Sequence, residues 1–442
     1  MKEDLTTGSI YKKLYIFALP LVFTNLLQMS MQLIDSLWVG NLLDSTAFGA
    51  ITIGLTVITI VMAFVLGSNN AILTIFAQLS GKNDPKEIRS YLSTSIILLA
   101  GLAVVVAIVG SLVVEPLLVL LNTPESIVPV AKEYLLINFF GLIFLVGYNF
   151  VVTVLRAFGD SKTPMFFILV GAILNAILDP IFISVFGWGL AGAAYATVLV
   201  YLVIFLVSLG YVARKYNTYT FKFQKPKWIE IKTILNLSIP SITQMVVIHA
   251  GANVILSIVN SFGPATVAGF GAAQRLNQLI MLPASALGTA VNTMAAQNIG
   301  ANKWRRVFQT TKAGLIYNAS IMAVVTVGLY IFAEPLVRLF IQDEASVEFG
   351  TLYVKTITFF YLFIGLNFIL NGVVRGSGAM FQVLILNIIS LWILRVPLTY
   401  YFSSAYGEIG IPLGIGTSFL LSCLFSIAYY KWGKWREKEL FS

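Results

Sequence analysis

Two carboxylates, Asp35 and Asp179, stand inside stretches of the chain that are otherwise apolar. They are the only ones of its 19 Asp and Glu well inside predicted spans. A carboxylate in mid-membrane costs about 2.5–3.5 kcal/mol on insertion scales, so two in one bundle need a function or a partner. Asn175 precedes Asp179 by one helical turn, on the same face, and Pro180 follows it. Proline lacks an N–H and crowds the preceding turn, which is expected to free the carbonyl of Ala176. Thr197, in "GLAGAAYATV", reaches a similar depth on the next span. Carboxylates, amide oxygen, hydroxyl and carbonyl form a set of hard donors suited to a proton or a monovalent cation such as Na⁺.

The stretch around Asp35, "NLLQMSMQLID", carries Asn25, Gln28 and Gln32 at steps that stack them with Asp35 along one helix face. These amides read either as interhelical hydrogen-bonding groups or as the lining of a polar path. Met31 and Tyr148 are packing residues that also suit an adaptable apolar cavity. The second half has no matching acids. Its span seven carries the only histidine, His249, with Asn253 one turn later, and Arg275 and Arg395 sit in spans eight and eleven. For His249, hydrogen-bonded packing and a proton relay stay open; for Arg275 and Arg395, snorkelling, pairing with Gln274 or backbone oxygens, and substrate contact do.

The elements that must hold these groups follow from composition. The chain has 442 residues, 58% hydrophobic and 11% charged, with mean hydropathy +0.89. Runs such as "SIILLAGLAVVVAIVGSLVV" are apolar on every side and about 20 residues long, which suits helices rather than barrel strands. The pattern predicts an all-α polytopic membrane protein. Twelve spans are expected, near 13–38, 48–77, 91–114, 132–157, 164–186, 190–213, 233–258, 266–296, 308–332, 351–374, 381–404 and 410–432. The first, preceded by Lys12 and Lys13, reads as a retained helix and not a signal peptide. Placing both termini in the cytoplasm puts roughly 23 of the 28 Lys and Arg on that side. The net charge of +9 then reflects loops beside anionic lipid, with no nucleic-acid partner implied. The lone cysteine, Cys423, excludes an intramolecular disulfide.

The chain also repeats itself. "AQLSGKND" after span two matches "AQNIGANK" after span eight, and "GYNFVVTVLRAFGD" echoes "GLNFILNGVVRGSGA". Pro20 in span one corresponds to Pro240 in span seven. The expected organisation is an N-terminal six-helix lobe over 1–213, a cytoplasmic linker over 214–232 and a C-terminal six-helix lobe over 233–442. A parallel repeat with pseudo-two-fold symmetry about the membrane normal points to alternating access. No nucleotide-binding, metal-binding or nucleophile motif is present, so neither an enzyme nor an ATP-driven pump is expected, and no cofactor.

"FALPLVFTNLLQMSMQLIDSLWVGNL", the two "AQ" motifs, "LRAFGDSKTP" and "NAILDPIFI" together resemble the multidrug and toxic compound extrusion (MATE) family of the multidrug/oligosaccharidyl-lipid/polysaccharide exporter superfamily. The likeness covers essentially the whole chain and is nearest the DinF-like branch. It implies a monomeric antiporter of the plasma (inner) membrane that exports cationic, amphipathic compounds in exchange for H⁺ or Na⁺. It also matches Asp35, Asn175, Asp179 and Thr197 to an N-lobe site for the coupling ion. The alternatives are a lipid-linked oligosaccharide flippase of the same superfamily and, in a different class, a channel or structural membrane protein.

Overall fold

The computed structural model describes residues 4–215 and 224–441, so part of the expected linker, 216–223, lies outside the described residues. Every regular element among the described residues is helical, as the composition requires. In chain order these are α1 (Ile10–Leu42), α2 (Ser45–Lys82), α3 (Pro85–Leu120), α4 (Val128–Ala157), α5 (Lys162–Pro180), α6 (Gly189–Lys215) and α7 (Trp228–Asn260). There follow α8 (Pro264–Gly300), α9 (Trp304–Arg338), α10 (Glu344–Ile357), α11 (Tyr361–Gly376), α12 (Met380–Ile388), α13 (Val396–Tyr406) and α14 (Gly410–Trp432). Single π-helical segments, Ile181–Val185 and Ile389–Arg395, continue α5 and join α12 to α13. Among the described residues, eleven helical stretches are long and apolar enough to cross a bilayer. The last of them, Met380–Trp432, turns at Gly407 (φ 67°) and so supplies two crossings, α12–α13 and α14. At 1.5 Å per residue the 33 residues of α1 span about 50 Å, more than the hydrocarbon core, so helix ends extend into water.

Those ends are capped by short polar side chains. Asp44 accepts from Ala47 N at 2.9 Å, Asp84 from Lys86 N and Glu87 N at 2.9 and 3.1 Å, and Asp343 from Ser346 N at 3.1 Å. The asparagine shared by the two "AQ" motifs also has a local cause. Asn83 (φ 58°) and Asn302 (φ 56°) both take the left-handed conformation that ends a helix, which asparagine tolerates better than most residues.

By packing, the described chain groups into two compact units. The first runs from Phe23 to Ile242; the second combines Asp4–Val22 with the chain from Thr243 onward. Both crossing points fall just after a helix-interior proline, Pro20 in α1 and Pro240 in α7. The leading part of each repeat's first helix therefore packs in the unit formed mainly by the other repeat.

Polar side chains hold these leading segments, in one case from the second "AQ" motif. In the second unit, Leu5 N donates to Gln297 Oε1 at 3.1 Å and Lys303 Nζ donates to Thr6 O at 3.0 Å. Arg306 Nη1 and Nη2 donate to the carbonyls of Gly8 and Thr7 at 3.0 and 3.1 Å. The Leu5 side chain is 1% exposed in a core shared with Ala295 and Trp435, a burial worth about 1.5–3 kcal/mol. In the first unit the counterpart is Glu230, at the start of α7. It is 3% exposed, accepts hydrogen bonds from the hydroxyls of Ser90 and Thr94 on α3, and lies 3.6 Å from Lys227 Nζ.

Candidate functional site

The first unit gathers its polar side chains around the end of α5. Asn175 and Asp179 share a face one turn apart, and Asn175 Nδ2 donates to Asp179 Oδ1 at 3.1 Å. Both residues are 0% exposed. Asp35, from α1, brings its carboxyl directly against that of Asp179, with the Asn175 amide beside both. Three oxygens, Asp35 Oδ1, Asp179 Oδ2 and Asn175 Oδ1, are buried without a hydrogen-bond partner among the described residues. Neither acid takes part in an ion pair among the described residues. Two carboxylates this close cannot both carry charge away from water unless a positive species joins them. The chemistry such a niche can do is to take up and release a proton or a small hard cation.

The backbone at this point is not a plain α-helix. After Pro180 the chain winds into the π-helical segment Ile181–Val185, and Phe186 N closes on Ile181 O at 2.9 Å. The wider turn is the local response to a proline that cannot donate, and such segments are often found at functional sites. Gly192 lets α6 approach: a Cβ there would lie 2.6 Å from Phe182 O. This close contact accounts for Gly192 among the small residues of "GLAGAAYATV". Thr197, in the same stretch, spends its hydroxyl proton on Ala193 O at 3.0 Å, one turn back on its own helix. The structure thus brings Asp35, Asn175 and Asp179 together, and gives Thr197 a bond within α6.

The residues of the α1 stripe are spread over different surroundings. Gln28 lies beside the hydroxyl of Tyr148, whose ring stacks on Tyr201 with centroids 5.6 Å apart. Asn25 and Met31 are partly buried, and Gln32 is exposed.

A comparison with known proteins decides the family. The MatE family model matches twice, over residues 20–181 and 240–401. The chain belongs to the MatE family. The two matched segments are of equal length, one in each half, in keeping with the repeat read from the motifs. Among curated proteins, the chain is 49% identical over 440 residues to the probable multidrug resistance protein YpnP of Bacillus subtilis, covering 99% of both chains. It is 27% identical to the probable multidrug resistance protein YoeA of the same organism, covering 98% of this chain and 96% of that one. Among solved structures, the Vibrio cholerae MATE transporter VcmN in its bent form superimposes with a TM-score of 0.93. That match has 21% identity over 98% of this chain and 99% of the other, and shows the shared fold.

Several residues of this MatE chain join the site without a signal in the sequence. Tyr134 and Tyr201 lie within electrostatic reach of Asp35, and Asn138 Nδ2 donates to the backbone carbonyl of Tyr134 at 2.8 Å. Tyrosines in an apolar span read as packing, and only proximity to an acid marks them otherwise. Asn69 and Asn149 form a second polar contact in this unit, Nδ2 to Oδ1 at 3.4 Å. In the second unit, His249 and Asn253 are exposed side chains of α7. Arg275 is exposed and lies over the Phe340 ring at 5.9 Å, while Gln274 accepts instead from Asn277 at 3.0 Å. Arg395 ends the second π-helical segment and faces α14.

Proposed function

We propose that this chain is an ion-coupled exporter of the DinF-like branch that expels cationic, amphipathic compounds in exchange for H⁺ or Na⁺. The observation that carries the reading is the set of three buried, unpartnered oxygens on Asp35, Asp179 and Asn175. An acid pair kept without a basic partner favours any positive species that enters, whether coupling ion or drug. The coupling ion and the cationic substrate then compete for one charge-selective niche. Arrival of H⁺ or Na⁺ neutralises the pair, weakens the hold on substrate and lets the carrier change state. Such coupling needs the ion to bind the two global states unequally.

In this reading Asp35 and Asp179 carry the charge, Asn175 orients Asp179, and Thr197 offers its remaining lone pair at the rim. Asn25, Gln28, Gln32, Met31 and Tyr148 line the approach of the substrate, with the stacked tyrosines presenting π faces to a cation. The likeness to YpnP and YoeA, both named as probable multidrug resistance proteins, supports a drug-like cargo. The excess of Lys and Arg in alternate loops supports cytoplasmic termini in the inner membrane, and a monomer suffices because the pair lies within one chain.

Reconstitution into liposomes tests this, with pH and sodium gradients imposed independently and efflux of an ethidium-like dye as the signal. One gradient is expected to drive uphill dye movement and the other not. Dye flux that ignores both gradients would contradict antiport.

A further inference from the structure

The fifth span of each repeat contains a π-helical segment, and each carries ionisable chemistry beside it: Asp179 in one, Arg395 in the other. The two are of opposite charge. We propose that the second unit carries a carboxylate-binding site built on Arg395. This rests on the second unit alone and not on ion coupling through Asp35 and Asp179.

Arg395 is partly buried at mid-span. Its Nε donates to Ser418 Oγ on α14 at 3.2 Å, and its guanidinium lies over the Phe419 ring at 4.7 Å. These contacts fix the plane of the group and use one of its five N–H donors. Among the described residues neither Nη atom has a hydrogen-bond partner, and neither is fully buried, so both remain available as donors. Among the described residues Arg395 forms no ion pair, and the titratable side chain that interacts with it is Tyr353, a neutral phenol.

The surroundings add hydroxyls and no carboxylate. Thr399, one turn after Arg395 on the same face, is 0% exposed and its Oγ1 has no partner. Ser418 is already anchored, donating to Ile415 O at 2.6 Å and accepting from Arg395. A ligand with two oxygens in a plane would take both Nη donors of the fork, and its second lone pairs would suit the Thr399 hydroxyl. Phe419 and Tyr353 place apolar surface next to the charge, so a carboxylate carried on an aromatic body fits better than a bare one. An arginine held in the membrane only for packing would be expected to snorkel or to find an acid; this one is pinned by Ser418 and Phe419 with both Nη groups unpaired among the described residues.

The test uses the full-length protein in detergent, with benzoate, acetate and neutral benzamide as probes and thermal unfolding as the readout. Benzoate is expected to raise the melting temperature of the wild type, with at least a tenfold loss of apparent affinity in Arg395→Gln. Benzamide is expected to leave both unchanged. A response to acetate equal to that of benzoate would assign the site to small free carboxylates; a response to benzoate alone would assign it to a carboxylate on an apolar body. Equal benzoate responses in wild type and Arg395→Gln, or equal responses to benzoate and benzamide, would overturn the proposal. Should Arg395→Gln not fold, 4-bromobenzoate soaked into wild-type crystals gives a second readout. Anomalous density within hydrogen-bonding distance of the guanidinium is expected, and its absence there would overturn the site.

Discussion

Gly67 of α2 lies so close to Ile242 of α7 that a Cβ added to it would sit 2.5 Å from the Ile242 Cα atom. Backbone cannot move aside as a side-chain end can, so the contact admits only glycine. It pins α7 within the first unit at the last residue before that helix changes unit. Gly67→Ala is therefore expected to destabilise the protein by about 1–3 kcal/mol, as overpacking does in other cores. Gly101 of α3, where a Cβ meets nothing within 4 Å, is the control. There alanine should be neutral or stabilising by up to ~1 kcal/mol. Thermal melting of both variants in detergent checks the pair; equal melting temperatures would remove the close-approach argument.

Glu230 joins the start of α7 to α3 through Ser90 and Thr94. Glu230→Ala removes the acceptor of two buried hydroxyls. Each can fall back on a carbonyl of its own helix, which limits the cost to about 1–3 kcal/mol. Glu230→Gln keeps one acceptor and should lose less. Melting curves of the two variants are the measurement, and the order Ala below Gln below wild type is the expected result.

The caps at Asp84 and Asp343 predict a pH dependence outside the membrane. Backbone N–H groups of Glu87 and Lys86 hold the Asp84 carboxyl below its ordinary range, and the side chain and backbone of Ser346 do the same for Asp343. A pKa lower in the folded chain than in the unfolded one gives stability that is complete above the unfolded value, ~4, and is lost as pH falls through the folded value. Asp84→Ala and Asp343→Ala should thus melt below wild type at neutral pH. The difference should close as the medium is acidified below ~4. A gap that persists in acid would place the effect elsewhere than in the charged cap.

How much of this could be read from the sequence depends on the kind of signal. Asp35 and Asp179 stand out because acids in apolar spans are expensive, and the i, i+4 step puts Asn175 beside Asp179 whatever the tertiary fold. Tyr134 and Tyr201 carry no such mark, since an aromatic residue in lipid costs nothing and only the arrival of α1 beside them gives them a charge to meet. Pro180 marks a break in the helix, but the form the break takes, the π-helical segment Ile181–Val185 that follows it, is not written in the residues. The "AQ" motifs are visible as repeats. The role of the second in holding Leu5 and Thr6 is not, because the partners are nearly 300 positions away (Leu5 and Gln297) and no local pattern joins them. The same holds for the change of unit in α1 and α7: duplication is written in the residues, but which unit each leading segment packs in is not.

The measurement closest to the central claim is dye export by Asp35→Asn and Asp179→Asn proteins in liposomes, after confirming correct insertion and an unchanged melting temperature. Asparagine keeps the shape and removes the charge. Gradient-driven export is expected to fall by roughly 5–150-fold in each, the range of ordinary coupling free energies, while dye leak down its own gradient persists. Export against a gradient at the wild-type rate in either variant would contradict coupling through the acid pair.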